Sequence, residues 1–272
     1  MTDRNLKIDC LEINDVQLEC GIDLEVLLKT KAERDRFDAN WEGFYADNFN
    51  SDVYTREGNR LVYHSEQLIP SKRSQRVPIL LVLGNPASHS VKSGMFFAYE
   101  GKGHDHRFWK EILKPLANLE PDVLQTQSPD KINQARKRRM LNLDYKSSFK
   151  IGLCVMLTMP SAPGDKWGGV QGIKRLFGLK AYKDIIKAES KRIHKIARQF
   201  VRNRGAVIVF QKDAWEQLRS DGDPEYSIGD AKAGKLIGRL KNAPHINIFG
   251  VPPTRLARPC CNVIEEVVKK LL

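Results

Sequence analysis

From residue 77 onward, apolar runs of strand length alternate with amphipathic segments of helical period, and that alternation admits few folds. Residues 79–83, 149–157, 206–210 and 246–249 are short, rich in Ile, Val, Leu and Phe, and bounded by turn residues, so each reads as a buried strand. Helices are expected between them. One covers 107–119, with Phe108, Trp109, Ile112, Leu113 and Leu116 on one face; others cover 182–202, 213–219 and 262–272. Strands and helices in this order build a parallel sheet with right-handed crossovers and helices on both faces. The expected class is therefore α/β: a three-layer α/β/α domain over residues 77–272, around a four-stranded, mainly parallel sheet. Residues 1–76 are a partly helical extension. Leu6, Ile8, Cys10, Leu11 and Ile13 alternate with polar residues, Asp23 opens a helical pattern, and Phe37, Trp41 and Phe44 recur at helical spacing as packing groups. Residues 49–76, with Gly58 and Pro70, read as a hairpin or connector.

Charge is distributed unevenly. The 272 residues carry a formal +12, yet residues 1–48 hold 12 acids and 6 bases, which leaves +18 on the remainder. Two segments concentrate it: residues 131–150, with Arg136-Lys137-Arg138-Arg139, and the expected helix 182–202, whose apolar stripe (Ile185, Ile186, Ile193, Ile196, Ala197, Phe200) leaves a basic outer face. Such a body attracts polyanions by counterion release and steering, although a basic surface also serves solubility alone. No apolar run approaches the ~20 residues of a membrane span. No apolar h-region follows the first residues, so no secretory signal is expected. The five cysteines, Cys10, Cys20, Cys154, Cys260 and Cys261, contain no C-x-x-C; free thiols in a reducing cytoplasm are the simplest account, and the spacing gives an iron–sulfur cluster no support.

Chemistry is expected where strands end. In an open α/β sheet, ligands lie outside the carboxyl ends of the strands. The run 79–83 stops abruptly in Gly84-Asn85-Pro86-Ala87-Ser88-His89, and the run 246–249 stops in Gly250-Val251-Pro252-Pro253-Thr254-Arg255. Asn85 holds a carboxamide, donor and acceptor together, on a turn that Pro86 stiffens; the plainer alternative is a turn cap. Further on, Gly94 permits close backbone approach, and of Phe96 and Phe97 one packs inward while the other is free to stack on a planar ligand.

Gly84-Asn85-Pro86, Gly94-Met95-Phe96-Phe97, Arg107-Phe108-Trp109 and Val251-Pro252-Pro253-Thr254-Arg255, in this order, resemble the motifs of the uracil-DNA glycosylase superfamily, closest to its thymine/mismatch-specific and single-strand-selective branches. The resemblance implies a monofunctional DNA glycosylase without metal or cofactor, a monomer whose partner is DNA. In that scheme Asn85 positions the water that attacks C1′. Phe97 stacks on the flipped base, and Gly84, Pro86, Ala87, Ser88, Cys154 and Val251 surround it, with backbone N–H groups near Ala87 and Ser88 receiving charge on the departing base. His89, Lys92, Pro252, Pro253, Thr254, Arg255 and Arg258 contact the DNA, Arg255 in the wedge loop. Turning out a base costs a few kcal/mol, which an inserted side chain and phosphate contacts offset. Two positions depart from the pattern. Val251 stands where many members carry His, and Cys154 stands where the uracil-specific branch reads the base with Asn.

The remaining candidates have plainer readings. His104 and His106 lack further ligands at metal spacing and are expected as loop or capping residues, while His89 is a possible donor to base or phosphate. Gly168-Gly169-Val170-Gln171-Gly172 lacks the Lys-Ser/Thr of a P-loop and reads as a flexible loop. Two further readings stand beside base excision: nucleic-acid binding on the same fold without activity, and hydrolysis of a free nucleoside or nucleotide.

Overall fold

The protein is described here from a computed structural model, which covers residues 6–101, 105–119, 128–164 and 166–272. The acidic amino-terminal stretch forms a hairpin. Strand β1 (Ile8–Glu12) pairs antiparallel with β2 (Gln17–Asp23) across a turn in which Asn14 Oδ1 accepts from the Val16 and Gln17 N–H groups. That register sets Cys10 directly opposite Cys20, and their sulfurs are bonded. The expectation of five free thiols is thereby corrected: strand periodicity is visible in sequence, but which residue faces which is set by the turn. Cys154, Cys260 and Cys261 remain thiols.

Helices follow where the side chains can cap them. Asp23 accepts from the first N–H groups of α1 (Leu24–Leu27), and Thr30 with Glu33 forms a reciprocal capping box on α2 (Lys31–Tyr45). After α3 (Asn48–Ser51), β3 (Tyr54–Glu57) and β4 (Arg60–Leu68) make a second hairpin, turning at Gly58, whose φ of +60° suits glycine. Both β2 and β3 pair antiparallel with β4. The chain continues through β5 (Val77–Leu83), α4 (Ser88–Ser93), a π-helical turn (Phe108–Ile112), α5 (Pro129–Asn142) and β6 (Phe149–Val155). It then forms α6 (Gly169–Phe177), α7 (Leu179–Phe200), β7 (Ala206–Val209), α8 (Lys212–Leu218) and α9 (Ile228–Lys232). Strands β8 (Ile237–Leu240) and β9 (Ala243–Gly250) and helix α10 (Ala257–Leu271) complete it.

The result is an α/β protein with a mixed sheet of nine strands and helices packed around it. Two compact units are present. One comprises the described parts of Met1–Gln67, Gly84–Phe96 and Val155–Arg192; the other comprises those of Leu68–Leu83, Phe97–Cys154 and Ile193–Leu272. In the first unit β2 and β3 flank β4, β1 lies beyond β2, and α2 packs on α6. In the second, β6, β5, β7, β9 and β8 lie side by side in that order. Here β5, β7 and β9 run parallel, with Val82 beside Val209 and Val209 beside Gly250, while β8 returns antiparallel. The expected four-stranded sheet thus corresponds to a partly parallel core within a larger mixed sheet. The extra strands come from residues 8–68 and from β8, whose alternating polar faces and short length give a weak strand signal.

Helix α5 escaped the periodicity argument because its inner face is not apolar. Arg136 is fully buried there, its guanidinium gripping both carboxylate oxygens of Asp105 and lying 5.0 Å over the Trp109 ring. One member of the basic cluster is therefore a core group rather than a surface charge. The residues of the expected 107–119 face, Phe108, Trp109, Ile112, Leu113 and Leu116, are all buried, although the segment winds as a π-turn instead of a regular helix. No helix among the described residues is long and apolar enough to cross a membrane.

Glu66 on β4 is 2% exposed, and among the described residues its Oε2 meets no hydrogen-bond partner. Burial pushes its carboxyl well above the ordinary value of 4.5. Below that value both folded and unfolded chains hold the proton; above it only the unfolded chain releases it, so stability falls as pH rises, by up to about 1.4 kcal/mol per unit. Glu66→Gln is expected to match the wild type in urea unfolding near pH 4 and to exceed it near pH 7. In guanidinium, a thiol reagent should titrate three groups without reductant and five after reduction.

Candidate active site

The turn after β5 is held by the segment that continues from β6. Leu157 N–H donates to the Gly84 carbonyl (3.1 Å), Ser161 N–H to that of Pro86 (3.1 Å), and Ser88 N–H to that of Ser161 (3.0 Å), so that Ala87 and Ser161 form a parallel bridge. Residues 84–88 and 157–161 are thus zipped together, and both run on past the ends of their strands.

This pairing brings a hydroxyl and two carbonyls around the Asn85 side chain. Nδ2 donates to Ser161 Oγ at 2.8 Å and lies 3.4 and 3.5 Å from the carbonyl oxygens of Pro86 and Met159. Carbonyl oxygens only accept, so the amide nitrogen must occupy that side. Among the described residues no donor reaches the opposite atom, Oδ1. Asn85 lines an open cleft of about 270 Å³ together with Pro86, Ala87, Ser161, Ala162, Pro163, Gly164, Gly168 and Gly169. That volume is just under the ~300 Å³ at which pockets for drug-sized ligands begin, which suits a small ligand. The far wall needs glycine: a Cβ on Gly168 would lie 1.9 Å from the Gly164 carbonyl oxygen.

A buried polar network anchors the wall from below. Thr158 N–H donates to Glu189 Oε1 at 2.6 Å, and the Thr158 hydroxyl donates to the same oxygen. That hydroxyl has spent its only proton, so Tyr63, 2.8 Å away, must donate to Thr158 Oγ1. Burial and then the Glu189 charge push the Tyr63 phenol well up, which keeps it a donor. Tyr54 donates to the Pro160 carbonyl at 2.6 Å, and Arg192 Nε donates to Glu189 Oε2 at 2.7 Å.

The other candidate residues fall into distinct settings. Ser88 is committed inward: its N–H serves Ser161 and its hydroxyl donates to Asn50 Oδ1 at 2.8 Å, whereas the Ala87 N–H meets no acceptor among the described residues. Lys92 pairs with Asp52 at 2.7 Å, and half-buried His89 meets the edge of Phe49. Cys154 is fully buried in β6. Phe97, at φ +46°, stacks on His106 (4.3 Å) and packs on Phe108 (4.5 Å). His106 accepts from the Phe108 N–H, the capping role expected of it; His104 lies outside the described residues. Val251 is fully buried, its N–H donating to the Val209 carbonyl and its carbonyl accepting from the Tyr226 hydroxyl. Pro252 is buried, Pro253 and Thr254 are half-buried, and Arg255 and Arg258 are exposed. The glycine run 168–172, expected as a flexible loop, instead starts α6 and walls the cleft. Among the described residues no group of three or more His, Cys, Asp and Glu side chains is arranged to hold a metal ion.

Sequence reasoning did not reach Ser161, the Met159 carbonyl or Glu189. A signal was present for the first two: Met159-Pro160-Ser161-Ala162-Pro163-Gly164 follows an apolar strand with the same small, Pro-containing turn chemistry as residues 84–90. Among known proteins, no family model matches the chain and no curated sequence is similar to it.

Removing the Glu189 carboxylate takes the counter-charge from Arg192 and the acceptor from both Thr158 donors. Glu189→Ala is expected to lose about 3–5 kcal/mol in chemical denaturation, the range for breaking a buried ion pair from one side.

Proposed function

We propose that this protein hydrolyses the N-glycosidic bond of uracil or a related damaged base turned out of DNA. The observation that carries this reading is the Asn85 carboxamide, clamped through Nδ2 at the mouth of a small cleft with Oδ1 left to accept. The order of the motifs supports it, as does the row Val82–Val209–Gly250, since the strand ends leading into the Asn85 turn and into the Val251–Arg255 loop lie along one edge of the parallel strands. The basic face of α7 supports a polyanionic partner. Lys183, Lys187, Lys191, Lys195 and Arg198 are exposed at steps of three or four residues, a like-charge spacing that costs each pair about 0.2–0.5 kcal/mol until phosphates neutralise it.

In this chemistry the bond's electron pair leaves with the base, C1′ becomes electron-poor, and a water oxygen bonds to it. A carboxamide neither gives nor takes a proton near neutrality. Asn85 therefore orients water by accepting one of its hydrogens at Oδ1, and the released proton passes to solvent. The Ala87 N–H is the donor available for charge gathering on the base. Val251 supplies none from its side chain, and one absent donor is worth ~2.7–4 kcal/mol, so a slow enzyme is expected.

A second reading, nucleic-acid binding without base release, is favoured by the burial of Val251 and by the cover that His106 and Phe108 give to Phe97. One assay separates them: labelled single- and double-stranded oligonucleotides bearing one deoxyuridine, treated with protein and then alkali. Strand scission by the wild type, reduced at least ~100-fold in Asn85→Ala, is the expected result. Salt-dependent binding with no scission on a panel of modified bases selects the second reading.

A further inference from the structure

We infer, building on the glycosylase reading, that Ser161 is a positioning residue that holds the Asn85 carboxamide in the orientation, Oδ1 toward the substrate, that the Pro86 and Met159 carbonyls select. A free asparagine turns its amide over readily, and its two ends ask for opposite partners: Nδ2 donates, whereas Oδ1 accepts. With Nδ2 toward the cleft, the site would grip the acceptor atoms of a base edge. With Oδ1 toward it, the site grips the hydrogen of a water molecule. The carbonyls of Pro86 and Met159, at 3.4 and 3.5 Å, select between them, because they only accept and so repel Oδ1; the Ser161 hydroxyl, which can donate or accept, makes the one short bond, 2.8 Å from Nδ2, that holds the selected orientation.

The clamp is itself fixed. Ser161 is 3% exposed, and its backbone is tied on both sides, N–H to the Pro86 carbonyl and carbonyl to the Ser88 N–H. The preceding residues are pinned through Thr158 to Glu189 and through Pro160 to Tyr54. Ser161 thus acts through Asn85, whose orientation it holds. It makes Asn85 a holder of the nucleophile rather than a reader of the base, and so assigns selectivity to cleft shape and backbone groups.

The test uses the full chain and Ser161→Ala, with Ser161→Thr restoring the hydroxyl and Asn85→Ala identifying the Asn85 Nδ2 proton pair in the amide spectrum by its loss. Two readouts are taken: solvent exchange of that proton pair, and single-turnover base release from the deoxyuridine oligonucleotide alongside its Kd. In Ser161→Ala, exchange should rise and base release should fall by about three- to tenfold each, the worth of one hydrogen bond, with Kd within about twofold of the wild type; Ser161→Thr should recover both. Wild-type release by Ser161→Ala overturns the inference, and so does a loss that Ser161→Thr leaves unrepaired, which marks a packing role. If the wild type itself releases no base, the glycosylase reading fails and the exchange arm decides alone: unchanged exchange rejects the clamp, and faster exchange upholds it for a different ligand. Should Ser161→Ala not fold, Ser161→Cys, which keeps the volume but accepts only weakly, replaces it.

Discussion

The candidate site depends on one buried carboxylate. Burying a charge costs several kcal/mol unless donors surround it, and the donors around Glu189 come from Thr158, through backbone and hydroxyl, and from Arg192. Meeting that demand immobilises the segment beyond β6. The segment then zips onto the turn beyond β5, and the zip carries a hydroxyl and a carbonyl to the Asn85 amide. The first of these steps follows from the need to satisfy polar groups in a place that water does not reach. The segment that meets the Asn85 carboxamide is thus anchored by a charge on a helix well removed from it in sequence.

The cleft so made is lined by small residues. Its side chains are largely those of Pro, Ala, Ser and Asn, with glycine backbone along the far wall. Such a surface offers shape, backbone dipoles and one oriented amide, and few side-chain donors. That combination suits holding a small planar group and a water molecule. It is poorly equipped to stabilise a strongly developing negative charge.

Charge in this chain has two structural destinies. Arg136 belongs to the run that looks most like a nucleic-acid contact, yet it is sealed against Asp105 and Trp109. The lysines of α7 belong to a regular amphipathic helix and remain at the surface. Basic residues therefore count toward a polyanion surface only where the apolar stripe of their own element accounts for the buried face. On α7 it does, through Ile185, Ile186, Ile193 and Ala197; on α5 it does not, because Ile132 and Met140 are too few to cover the helix without Arg136.

Short-range physics was legible without coordinates. The parallel strands β5, β7 and β9, helix α7, the helix start at Asp23, and the turn at Asn85 all follow from periodicity, capping and turn chemistry within a few residues of chain. What escaped was set by partners far along the sequence. The Cys10–Cys20 bond rests on hairpin register, helix α5 on an acid 31 residues from its arginine, and the Asn85 clamp on a hydroxyl 76 residues away. The sequence by itself determined that a carboxamide would stand on a stiff turn at the end of a buried strand. Only the tertiary structure decided which of its two ends faces outward, because the neighbouring Pro86 carbonyl acts together with the Met159 carbonyl and the Ser161 hydroxyl, which strand pairing brings beside the amide from more than 70 residues away.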